Sequence, residues 1–262
     1  MKLRRPPIVE AWIEFHLHAA EEEETWPAQI PVFFENVQGE FPRPEYAVAE
    51  RVTIEERHPT GLPKKISGEQ SVRGAKAYCE DRTRCVQIEE DALVLNLARQ
   101  GQDYPGFDVL VDQALRLLAQ YCTSFRPQFV REVALHYVDL VRIPRSGAPS
   151  LKPDDYFNIG VRVPRNGQWP LSGFATQMLV PLEIQSASPS HLAVRIESEP
   201  LDARSEEFRL RVDWHAMCHG VDTLDASVLE SRLRSLRDTA WRFFKQSVTP
   251  LLWNMFEPIE EG

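Results

Sequence analysis

The sequence has no run of about 18 apolar residues, so no stretch of it reads as a membrane-spanning helix. Its first 15 residues carry Arg4 and Arg5 but no uninterrupted apolar core and no small-residue cleavage site, and so do not read as a secretion signal. Cysteine is scarce: Cys79, Cys85, Cys122 and Cys218 are scattered without CxxC spacing. Cys79 and Cys85 flank an expected tight turn and could face each other across a hairpin. In a chain without an export signal, free buried thiols are the expectation. These absences together read as a cytoplasmic protein with no membrane partner.

Positive charge is also short. Thirty Lys and Arg stand against 39 Asp and Glu, giving a net charge of -9. A protein that binds nucleic acid through counterion release carries a basic face, and the bulk charge argues against that role. There is no P-loop, no GxGxxG, no GxSxG elbow and no cysteine in a nucleophile setting. No spacing demands a cofactor, and none is expected. The enzyme question stays open, with the balance toward a non-catalytic protein.

What is present is alternation. Val9, Ala11, Ile13, Phe15 and Leu17 point one way from a strand spanning Ile8 to His18, and Glu10, Trp12, Glu14, His16 and His18 point the other. Period-two patterning of this kind fits a sheet with one buried face. Leu135, Tyr137, Asp139, Val141 and Ile143 repeat it, as do Phe208, Leu210, Val212, Trp214, Ala216 and Cys218. Helical spacing appears in Ile30, Phe33, Phe34 and Val37 after a Thr25 cap, in Phe107 to Tyr121, and in Leu229, Leu233, Leu236, Ala240 and Phe243 after a cap at Asp222, Thr223 or Asp225.

The order reads strand, helix, three strands, helix, twice over. The expected fold is therefore α+β: two pseudo-repeated halves, residues 1–128 and 129–262, packed as one unit with antiparallel sheets backed by helices. The sheets could be two, or one long curved one. A cleft between the halves is the default place for a ligand.

Several side chains stand out. His16 and His18 share a face with Glu10 and Glu14, and His215 and His219 share one with Asp213. If those two strands were neighbours, four histidines could converge as for a metal. Loose spacing of this kind more often marks ordinary polar faces, and no metal is assigned. Asp139 shares an apolar face with Tyr137. It reads either as a polar group at the cleft or as half of an ion pair with a nearby arginine, because a buried carboxylate is costly alone. Arg209 and Arg211, with Arg195 and Arg131, could form a basic outer face. Balance by Glu197 and Asp213 is the plainer reading. Trp12 reads as an exposed aromatic, the type that anchors protein contacts.

Pro6-Pro7-Ile8-Val9-Glu10, Arg84-Cys85-Val86-Gln87-Ile88 with Leu93 to Asn96, Tyr104-Pro105-Gly106-Phe107, Leu135-His136-Tyr137-Val138-Asp139 with Ile143-Pro144, and Leu171-Ser172-Gly173-Phe174 form a set. With the closing helix, this set resembles an uncharacterised, sporadically distributed bacterial family of similar length. The resemblance covers most of the chain and implies an accessory gene, such as a defence or toxin-immunity component, with no activity attached. The functional expectation is a non-enzymatic module that engages another protein through residues such as Trp12, His16, His18, Tyr137, Asp139, Arg209, Arg211 and His215. The alternative is a small-ligand sensor or enzyme that uses the cleft, lined by Asp139, Tyr137 and His or Arg side chains.

Overall fold

The computed structural model describes residues 2–3, 6–18, 26–54, 66–98, 104–145, 152–158, 174–182, 190–198 and 206–259. In chain order the elements are β1 (Lys2–Leu3), β2 (Ile8–His18), α1 (Trp26–Val37), β3 (Arg43–Ile54), β4 (Ile66–Tyr78), β5 (Arg84–Glu89), β6 (Ala92–Ala98), α2 (Phe107–Phe125), β7 (Phe129–Pro144), β8 (Ala175–Leu182), β9 (Ser190–Ser198), β10 (Glu207–Thr223), α3 (Ala226–Ser247), α4 (Pro250–Met255) and β11 (Pro258–Ile259). Pro153–Asp155 forms one short 3-10 turn between β7 and β8.

Nine strands make one antiparallel sheet in the order β3-β4-β5-β6-β2-β7-β10-β9-β8, and β1 pairs with β11 apart from it. The chain is thus α+β with a single large sheet rather than two. β2 and β7 form the central pair, and each has the last strand of its own run, β6 or β10, on its outer side. The first run holds four strands between its helices, not the expected three. The acidic Glu89-Glu90-Asp91 stretch, which reads from sequence as either a bulge or a turn, is the reason: Glu90 and Asp91 form a tight turn, and the return arm folds back as β5 and β6.

Alternation decides which face is covered. Ala11, Ile13, Phe15, Leu17, Leu135, Val141, Val194, Leu210 and Val212 are all buried in one continuous core with the helix stripes Ile30, Phe33, Leu110, Val111, Leu117, Leu229, Leu233 and Leu236. Each such Val, Leu, Ile or Phe side chain contributes about 1.5–3 kcal/mol through removal from water. α2 packs on β2 and β6, α3 on β7 and β10, and α1 on β4 and α2. The opposite face of the sheet carries no described helix.

Local chemistry sets the boundaries. Asp225 accepts hydrogen bonds from the Ser227 and Val228 backbone N–H groups and caps α3. Pro250 does not extend α3. It opens α4, whose first turn is capped by Thr249. Thr25, the expected cap of α1, lies outside the described residues, as do Leu171, Ser172 and Gly173. Gly74 sits at the bulge between β3 and β4, where a Cβ would come 2.8 Å from the Ile88 carbonyl oxygen. Gly106, with φ 105°, starts α2 from a conformation that side-chain-bearing residues rarely adopt. The four cysteines are free. No helix among the described residues is long and apolar enough to cross a membrane.

Candidate functional site

The covered face of β7 carries an exception to its apolar pattern. Asp139 is 4% exposed and lies among Val141, Leu210 and Val212 in the layer beneath α3. Its Oδ2 accepts a hydrogen bond from Trp214 Nε1 at 2.8 Å. Its Oδ1 is buried and has no hydrogen-bond partner among the described residues. The expected ion pair with an arginine is not what forms: the neighbouring strand β10 places an indole at the carboxyl group, and its arginines face the other way. Burial pushes the Asp139 pKa up to about 7. The Trp214 bond works against that rise, and the charge of Asp213 adds to it.

Asp139 borders a cavity of about 510 Å3 between the sheet and the helix layer. Tyr137 and Trp214 form its floor with Asp139. Phe107 and Val109 come from the start of α2, Arg237, Trp241 and Phe244 from α3, and Pro6, Pro7 and Ile8 from the segment entering β2. The lining therefore comes from both sides of residue 128, but the space lies beneath helices and not between two facing sheets. Tyr104 meets Tyr137 edge-on with ring centroids 6.3 Å apart. The Tyr104 and Tyr137 hydroxyls act on each other as polar neighbours, and burial drives the pKa of both phenols upward. Arg237 Nη1 is held 2.8 Å from Asp238, and its guanidinium lies 5.7 Å from the centroid of the Phe107 ring.

The other face of the sheet holds a second cluster. Strand register places Trp12, His136 and His215 in one row across β2, β7 and β10, and His16, Glu132 and His219 in another. The first row stacks, with ring centroids 4.3 Å apart for Trp12 and His136 and 3.8 Å for His136 and His215. His191 on β9 continues the array beside His215 and His219. In the second row Glu132 sits between His219 and His16, the latter 3.6 Å away. Glu14 accepts from Trp12 Nε1 at 2.8 Å and lies 3.1 Å from His16 Nε2 and 3.3 Å from His136 Nε2.

These neighbours set the charges. Burial works to raise the Glu14 pKa, yet His136, His16 and Trp12 together hold the carboxyl well below the usual carboxylate range. The bond to Glu14 raises the His16 pKa against the effect of burial. Burial, followed by the charge of His136, pushes His215 down to about 4. Among the described residues no group of three or more His, Cys, Asp or Glu is arranged to hold a metal ion.

The residues singled out from sequence thus divide between two faces. Tyr137 and Asp139 meet at the cavity. Trp12, His16 and His215 belong to the opposite cluster, where Trp12 is half-buried against His136 instead of standing exposed. The strands of His16 and His215 are not neighbours, because β7 lies between them. His18 is exposed and stacks on Phe129 at 4.9 Å, outside both sites. Arg209 pairs with Glu207, Arg211 with Asp213, Arg195 with Glu197 and Arg131 with Asp91, so these four arginines make charge-balanced pairs. Sequence reasoning did not single out Arg237, Trp241, Tyr104, Glu132 or His191 for a site. Only Glu132 and His136 carried a usable signal, as polar residues on the same strand face two positions from Ala134.

No family model matches the chain, and comparison with curated proteins gives no match.

Proposed function

We propose that the chain is a small-molecule-binding protein whose ligand occupies the cavity beside Asp139. The observation that carries this reading is the Asp139 carboxyl group: the residue lines a 510 Å3 space, and its Oδ1 atom is buried without a partner among the described residues. Leaving such an atom unsatisfied costs about 1–3 kcal/mol. A ligand group that reaches it recovers this cost as binding energy. The volume falls within the range of small-molecule sites, and the lining is mainly aromatic and apolar with few polar groups, as such sites are. The titratable groups of the described lining are Tyr104, Asp108, Tyr137, Asp139 and Arg237, a small polar set amid an apolar wall that suits recognition of a ligand.

The test is a thermal-shift screen of a fragment and metabolite library on the wild type and on Ala240→Phe. Ala240 is buried at the cavity wall, and the larger ring fills the space. Compounds that raise the Tm of the wild type but not of the filled variant support the reading. A screen in which no compound separates the two proteins overturns it.

The second reading is a protein-interaction module. It is favoured by exposed apolar side chains on both edge strands: Tyr46 and Val48 on β3 and Leu179, 68% exposed, on β8. An edge strand offers a row of unpaired backbone groups to another chain. A pull-down from the native host should then recover a stoichiometric partner that Leu179→Glu or Val48→Glu releases. Recovery of no partner sinks this reading.

A further inference from the structure

The shape and chemistry of the same cavity narrow the class of ligand, and the inference rests on the binding reading above. We propose that it takes a cationic aromatic amine, held by one N–H bond from the ligand to Asp139 Oδ1 and by its ring against the aromatic wall.

In its ionised form Asp139 offers Oδ1 as the acceptor for a single donor. The other oxygen, Oδ2, is already occupied by Trp214 Nε1 at 2.8 Å, so the carboxylate has no paired edge to offer a guanidinium-type fork. One N–H of an ammonium or a protonated ring nitrogen matches that single oxygen.

Positive charge on that donor follows from burial. A carboxylate this deep is strongly disfavoured while alone, and an opposite charge placed against it in a water-poor site gains far more than it would in water. Trp214, Trp241 and Phe244 at the cavity add aromatic surface that attracts a cation and matches an aromatic body, while the Phe107 ring already carries Arg234 and Arg237. An anionic ligand meets the opposite situation. It would face Asp139, and the cation at the wall, Arg237, is already bound to Asp238 at 2.8 Å and lies against Phe107. Arg237 is 46% exposed and its charge reaches Tyr104 and Tyr137, but its guanidinium is shared with Asp238 and the Phe107 ring, whereas the Asp139 carboxyl group is buried at the floor.

Binding of a cation favours ionised Asp139, whose pKa without such a partner is about 7. Near that pH the proton it carries is released as the amine binds, and calorimetry reads this release as a binding enthalpy that varies with the ionisation enthalpy of the buffer.

The experiment is isothermal titration of tryptamine and 2-phenylethylamine at pH 7, with the neutral isosteres tryptophol and 2-phenylethanol and the anion indole-3-acetate. It uses wild type, Asp139→Asn and Ala240→Phe, each first shown to melt cooperatively. The expected result is amine binding tighter than alcohol binding, no binding of the acid, and a loss of about 10- to 100-fold for the amines in Asp139→Asn, the worth of one charge-assisted hydrogen bond. Proton release on amine binding should vanish in that variant. Alcohols that bind as tightly as amines, or amines that bind Asp139→Asn unchanged, overturn the ligand class and leave the binding site standing. The ligand class is likewise overturned, and the site retained, if none of the five probes binds while library compounds still separate wild type from Ala240→Phe. If neither the probes nor the library do so, the ligand class and the binding reading fall together.

Discussion

Trp214 donates its indole N–H to one oxygen of Asp139 across the β7–β10 pair, and the other oxygen of the same carboxyl group is left without a partner among the described residues. The two residues are diagonal neighbours, since Asp139 is in register with Val212 and Trp214 with Tyr137. Half-satisfied groups of this kind make the pH dependence of stability readable.

Asp139 titrates near 3.8 in the unfolded chain and at about 7 in the fold. Its raised value means that stability is full below pH 3.8, falls as pH rises between the two values, and stays reduced above 7. The difference corresponds to a penalty of about 4 kcal/mol above pH 7 at about 1.4 kcal/mol per tenfold change in proton affinity. Asp139→Asn removes the charge and keeps an acceptor for Trp214. It should raise unfolding free energy by about 1–3 kcal/mol at pH 8, after allowance for the weaker bond to the indole, and by much less at pH 3.5. Urea titrations at the two pH values check this, and equal effects at both would refute it.

His215 acts in a different window. Its folded pKa is lowered to about 4, so the fold favours the neutral ring, and stability is lost as pH falls from 6.5 toward 4. The groups facing it are His136 stacked on it, His191 from β9, and Glu14 and His16 from β2. His16 acts with the opposite sign: its raised value adds stability below 6.5 that disappears as pH climbs through its folded value. Glu14 adds stability above 4.5 that is lost at lower pH. His215→Gln should flatten the stability profile between pH 4 and 6.5 by about 1–3 kcal/mol while leaving the decline below pH 4 that Glu14 causes. An unchanged slope in that interval would show that His215 is not the group responsible.

Position against the sheet, not hydrophobicity alone, sets the worth of an apolar residue here. Leu236 on α3 is fully buried, whereas Leu179 on β8 is 68% exposed. Leu236→Ala should cost about 2–5 kcal/mol through lost transfer energy and a cavity. Leu179→Ala should stay within about 0.5 kcal/mol. Chemical denaturation of both variants at pH 7 measures the contrast, and comparable losses would contradict the packing described.

Much of the fold could be read from local pattern. The alternation in Ile8–His18, Phe129–Pro144 and Glu207–Thr223 gives the strands and assigns their faces, because side chains repeat every second residue whatever strand lies next door. The break after Glu89 could be seen, but whether it was a bulge or a turn could not, since both begin with the same polar residues. Strand order is the part that local pattern lacks. His16 and His215 look like candidates for direct contact until β7 is placed between them, and His136 then becomes the centre of the cluster. The cavity was equally hidden. Arg237 and Trp241 lie beside the apolar stripe Leu229, Leu233, Leu236, Ala240 and Phe243, and they come to the cavity beside Asp139 only through the packing of α3 on β7 and β10. The indole partner of Asp139 came from the same strand as the arginines that seemed available, one face away.

The seam between β2 and β7 joins residues 8–18 to residues 129–144. During synthesis β2 leaves the ribosome long before its second neighbour exists, and one of its edges stays bare until α2 and β7 have emerged. A nascent chain in that state is the one most open to mispairing with other copies. Native closure joins strands separated in sequence by α1, β3–β6 and α2, so it carries a chain-ordering cost that the β5–β6 hairpin, closed by a two-residue turn, does not.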